Sequence, residues 1–79
     1  MKIINKSNYI LLQSTDTKSV GEFIKSASHQ IMQQSQENYV VDLLGFSDVN
    51  KQNIKQLKSI NDSILAENYS FVVLINQLK

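Results

Sequence analysis

Apolar residues along the chain follow two different periods. Residues 2–6, 8–13, 39–46 and 69–76 hold short, dense runs led by β-branched and aromatic side chains, which is the pattern of strands. Between them, Val20, Phe23, Ile24, Ala27 and Ile31 recur every three to four positions, and Ile54, Leu57, Ile60, Ile64 and Leu65 do the same. Each set lines one face of an amphipathic helix. The predicted order is β-β-α-β-α-β, an α/β fold with a mixed four-stranded sheet in a single domain spanning residues 1–79. The run Tyr39 to Phe46 (Tyr-Val-Val-Asp-Leu-Leu-Gly-Phe) contains a single charge and has the composition of a central strand covered on both faces. Lys6 and Ser7 separate the first two runs, which predicts an antiparallel hairpin with the first strand at an edge.

Local signals place the element ends. Ser19 and Glu22 have capping-box spacing, with Asp16 as a rival cap one turn earlier, and the first helix is expected to end near Gln36. Asp48 or Asn50 is positioned to cap the second helix, which is expected to run to Glu67 and Asn68. Asn38 and Asn68 are candidates for the left-handed conformation that closes a helix. Asn-Tyr occurs at residues 8–9, 38–39 and 68–69, each time before an apolar strand. Thirty residues is the length of a strand plus a crossover helix, so the repeat predicts three parallel strands joined by two right-handed crossovers. Chance recurrence of strand-entry residues and an internal duplication both account for it.

Composition narrows the function classes. Formal net charge is +1, and all eight basic residues are lysines. Without the planar fork of arginine, a nucleic-acid-reading surface is not expected. The longest purely apolar run, residues 71–75, is too short to span a bilayer, and no secretory signal is visible, so a soluble cytoplasmic chain is expected. Cysteine is absent, and the single histidine, His29, falls on the helix face opposite Val20 and Ile31. No ligand set for a metal and no nucleophile-base pair can be assembled from these residues, and the two glycines stand too far apart for a phosphate loop. The expectation is a non-enzymatic chain without a cofactor. Asp42 lies inside a strand and is assigned a structural role, accepting hydrogen bonds from a nearby loop or helix start. Lys51, Lys55 and Lys58 share the outer side of the second helix, where a solvated stripe and a contact surface for an acidic partner are both open readings.

The two-strand start, the acidic residue before the first helix, the Val41-Asp42-Leu43-Leu44-Gly45-Phe46 motif and the helix that follows resemble the STAS family, especially short STAS-like proteins of the Bacteroidetes type. That family includes the anti-sigma factor antagonists of bacteria, so the resemblance implies a regulatory protein-binding module. It also implies that Asp16 matches the family's acidic loop position. Where antagonists carry a phosphorylated serine at the start of the second helix, this chain carries Lys51, and a phosphorylation switch is not expected; Ser47 could replace it only with a shifted alignment. STAS domains continue beyond this point with a helix, a strand and a helix. A core lacking them is expected to leave an apolar sheet face for another chain, giving a homodimer or larger assembly. The expected partner-binding surface is the carboxyl rim of the sheet: Asp16, Ser47, Asp48, Asn50 and Lys51, extended along Lys55. An assembly protein working through the bare sheet face and a small-molecule or lipid binder are the alternatives.

Overall fold

A computed structural model describes residues 1–15 and 19–76. Their order is β1 (Lys2–Asn5), β2 (Ile10–Gln13), α1 (Val20–Gln33), β3 (Tyr39–Asp42), α2 (Lys51–Ser63) and β4 (Phe71–Leu74). The α/β class and the order of elements agree with the periodicities. The sheet order is β1-β2-β3-β4, with β1 antiparallel to β2 and the other two pairings parallel. The hairpin closes through Lys6 N, which donates to Tyr9 O at 2.9 Å.

Both crossovers step the same way across the sheet. Right-handed connections that do so place their helices on the same side, and burial follows that rule. Ile10, Leu12, Tyr39 and Val41 are buried, whereas their neighbours Leu11, Gln13, Val40 and Asp42 are only half-buried. The five apolar residues expected on α1 are all buried. Leu57 and Ile60 of α2 join them, while Ile54, Ile64 and Leu65 pack at the margin. The expectation that the central strand is covered on both faces is therefore corrected. Among the described residues, one face of β3 packs beneath the helices and no helix or strand covers the other.

The element ends differ from the sequence expectations for local reasons. Strand β3 stops at Asp42, because Phe46 N donates to Leu43 O at 3.0 Å and closes a turn over residues 43–46. The apolar character of Leu43 and Phe46 comes from burial beneath the loop. Helix α1 ends at Gln33 rather than near Gln36, and α2 at Ser63 rather than at Asn68. Beyond α2, Tyr69 N donates to Ala66 O at 3.1 Å, and Asn68 takes the left-handed conformation (φ 76°) inside that turn. Asn38 does not take it. Instead its carbonyl accepts from Ile10 N at 2.8 Å and its side-chain oxygen from Ser70 N at 3.1 Å, so one residue joins the entries of three strands.

The Asn-Tyr repeat does not survive as a structural repeat. Tyr39 is in register with Ile10 and Phe71, not with Tyr9 and Tyr69. Tyr39 is buried, and its hydroxyl donates to Gln34 O at 2.6 Å, tying β3 to the end of α1. Tyr9 and Tyr69 are exposed. What recurs is a favoured strand entry, filled by one core tyrosine and two surface ones.

Two predictions follow from this packing. The rings of Phe46 and Phe23 stack at 5.7 Å and fasten the loop after β3 to α1, so Phe46→Ala should cost about 3–5 kcal/mol in urea unfolding, a large part of the roughly 5–10 kcal/mol available to a chain this size. Gly45 beside it has no positive φ, and an added Cβ would meet nothing within 4 Å, so Gly45→Ala should be neutral or slightly stabilising in the same assay. The second prediction concerns alkaline pH. Burial, reinforced by the Glu37 carboxylate and opposed by Gln30, raises the Tyr39 hydroxyl above its ordinary pKa of 10.0. In that window the unfolded chain loses the proton first and binds fewer protons than the folded one, so stability falls as pH rises through the folded value. Tyr39→Phe should cost about 1 kcal/mol near neutrality, from the lost hydrogen bond, and should flatten the decline seen in unfolding curves above about pH 10.

Candidate functional site

The carboxyl ends of β2, β3 and β4 and the starts of α1 and α2 lie at one end of the sheet, the usual site of contact in open parallel sheets. The loop between β3 and α2 is built by alternation. Leu43, Phe46 and Val49 are buried in the core, while Leu44, Ser47, Asp48 and Asn50 stay at the surface. Three apolar anchors in seven residues hold the loop down, and they leave Leu44, 45 % exposed, as an apolar contact among polar neighbours.

Asp42 sits where the strand enters this loop and acts as predicted. One carboxylate oxygen accepts from Leu44 N at 2.9 Å and the other from Gln13 Nε2 at 2.9 Å. The first bond shapes the turn and the second bridges β3 to β2. With both oxygens so used, Asp42 is a structural acceptor. His29 is exposed on α1, also as predicted.

Asn50 caps α2. Its side-chain oxygen accepts from Asn53 N at 3.0 Å, and its backbone N–H donates to the side-chain oxygen of Asn53 at 3.0 Å. This reciprocal capping box explains why Asn53 is 8 % exposed in an otherwise apolar layer. It also changes the expected role of Asn50, whose oxygen and backbone N–H are committed to the helix. At the start of α1, Ser19 Oγ accepts from Glu22 N at 3.2 Å, in agreement with the expected cap.

Lys51 is the first residue of α2, and Lys55 lies one turn further on the same face; both are exposed. The first turn of α2 contains no acidic residue. A helix N-terminus carries partial positive charge, so a lysine there opposes the dipole at a cost of about 0.3–1 kcal/mol. The arrangement concentrates positive potential at the end of α2, with Asp48 just before the cap as the nearest negative charge in sequence. Lys55 also lines an open groove of about 590 Å³ between the helices, shared with Gly21, Ile24, Lys25 and Ser28 of α1 and Gln52 and Gln56 of α2.

Ser47, Asp48, Asn50 and Lys51 thus form one continuous rim, with Lys55 extending it along the helix. Asp16 lies outside the described residues. Lys25 and Leu44 were not identified from sequence as rim residues. The first faces the groove only because the helices pack side by side, and the second was assigned to a strand. Among the described residues, no group of three or more histidine, cysteine, aspartate or glutamate side chains could hold a metal ion, and no helix is long and apolar enough to cross a membrane. No family model, curated protein or solved structure matches the chain.

Proposed function

We propose that the chain is a non-enzymatic, STAS-like protein-interaction module that binds an acidic surface of a partner protein through its carboxyl rim. The observation that carries this reading is the placement of Lys51 and Lys55 at the start of α2, against the helix dipole and beside a loop pinned by Leu43, Phe46 and Val49. Local rules broken without a compensating internal contact are characteristic of functional surfaces. A pinned loop loses little conformational freedom on binding, so its contacts are not spent on ordering it. Leu44 supplies an apolar contact, Ser47 and Asp48 supply short polar groups, and the lysines attract and orient an acidic partner at low salt.

The lysine at the position of the antagonist serine removes the hydroxyl that a kinase would modify. Regulation of this rim, on the proposed reading, runs through partner concentration or competition rather than through phosphorylation of α2. The carboxylate of Asp42 and the lone His29 provide no acid-base pair, which is why the reading is a binding one.

The test separates binding from stability. Lys51→Glu places a negative charge where the dipole favours it and should stabilise the fold by about 0.3–1 kcal/mol in urea unfolding. The double variant Lys51→Glu/Lys55→Glu should at the same time lose the partner captured by the wild-type chain from lysate of the native host. A partner retained by the more stable double variant would refute the rim.

A further inference from the structure

The register fixes two rows of side chains on the sheet face turned away from the helices. Ile4, Leu11, Val40 and Val72 make one level, and Lys2, Gln13, Asp42 and Leu74 the next. Val72 is 57 % exposed, Leu74 is exposed as well, and Leu11 and Val40 are half-buried. Among the described residues, no helix or strand lies over this face.

We infer that the face takes a second copy of the chain, packed sheet to sheet about a two-fold axis that runs along the strands over the middle of the sheet. This inference is independent of the rim reading. The rotation keeps each level in place and reverses its order. Ile4 meets Val72 of the partner subunit, and Leu11 meets Val40 of the partner subunit, so the apolar level closes on itself. One level along, Asp42 faces Gln13 of the partner subunit. Lys2 arrives next to Asp42 of the partner subunit, within reach of a long, flexible side chain. Lys2 and Asp42 are the two charged residues of these rows, of opposite sign, and the operation brings each toward the other. A two-fold axis across the strands, midway between the two levels, would instead lay the apolar level on the level containing both charges.

Four strands of four residues, at about 4.8 Å between strands and about 3.3 Å per residue, make a face of roughly 19 by 13 Å, well below the roughly 800 Å² per partner of a standard interface. Sheets packed in this way sit about 10 Å apart with strands nearly aligned, which a short, flat, four-residue face permits. A second copy matches the width and levels of the face strand for strand. The small area places its affinity in the weak, micromolar range.

Sedimentation of the full chain from about 5 to about 500 µM at low salt tests the inference, that range bracketing a micromolar dissociation constant. A concentration-dependent dimer is expected. Val72→Lys, on an exposed edge strand, should raise the dissociation constant at least about ten-fold, since it puts an unpaired charge into an apolar level. Lys2→Glu should weaken the dimer by about three-fold or more, an effect that fades at high salt. Met32→Lys, at an exposed position on α1, and Lys51→Glu, on the rim, should leave it unchanged. Circular dichroism confirms that each variant is folded, and Leu74→Lys replaces Val72→Lys if the latter is not. A monomer throughout the range overturns the inference. So does a dimer indifferent to the lysine on β4 and to Lys2→Glu, or one lost with Met32→Lys or Lys51→Glu. Partner capture by the rim is read in a separate experiment, so the two proposals fail separately.

Discussion

Two right-handed crossovers that step the same way across a sheet must lay both helices on one side. In this chain β2, β3 and β4 stand in sequence order, so α1 and α2 share a face and touch each other. That constraint organises the interior. Ile10, Leu12, Tyr39 and Val41 point into one apolar layer with the buried face of α1 and with Leu57 and Ile60 of α2. A doubly wound sheet would require the strand order to reverse, with helices on both faces. Among the described residues, the two helices complete one such layer and no helix lies on the opposite side of the sheet.

The same geometry gives the rim its character. Because the parallel strands all end on one side, the loop after β3 has to turn there, and Asp42 holds that turn with one oxygen while tying down Gln13 with the other. Leu43, Phe46 and Val49 drop back into the apolar layer, Phe46 against Phe23 of α1, which leaves their neighbours outside. Hydrogen bonds that could have made the start of α2 receptive to a ligand are partly consumed by the Asn50–Asn53 box. What the rim exposes is mainly side-chain chemistry: a leucine, two short polar groups and two lysines. The lysines are the element that folding alone does not explain, since a carboxylate at the first position of α2 would suit the helix better.

Much of the architecture was legible because period and packing coincide. The stripe from Val20 to Ile31 repeats at helical spacing and is buried at every expected position. The caps at Ser19 and Asn50 were each legible as one of two candidates, beside Asp16 and Asp48, because several short polar side chains precede each helix. The strand around Val40 misled for a physical reason. Val40 and Val72 are apolar on an open face, so a run without alternation looks the same whether its second face meets helices or meets nothing in the same chain. Leu43 and Phe46 extended the apparent strand because a loop that folds back over a core has the composition of the core. Residue type suggests left-handed backbone for Asn38, yet its side-chain oxygen accepts from Ser70 N, a partner 32 residues away that no local pattern reveals. The rim residues Ser47, Asp48, Lys51 and Lys55 were found from topology and resemblance, whereas Lys25 required knowing that the helices lie side by side.

The relation between the open face and the rim follows from the direction of the proposed axis. Rotation about a line parallel to the strands leaves strand direction unchanged, so the carboxyl rims of both subunits point the same way. A pair of copies would then present two lysine-bearing helix starts on one side, spaced by the sheet-to-sheet distance and the width of the helix layers. A partner with two acidic sites at that spacing would bind the pair more tightly than a single rim, because the second contact forms at high effective concentration. Linkage makes the effect reciprocal: such a partner stabilises a dimer that is weak on its own, and the dimer in turn raises the affinity for the partner. A small interface is then an advantage for control, since a micromolar pairing can be shifted by modest changes in chain concentration, whereas a tight one cannot.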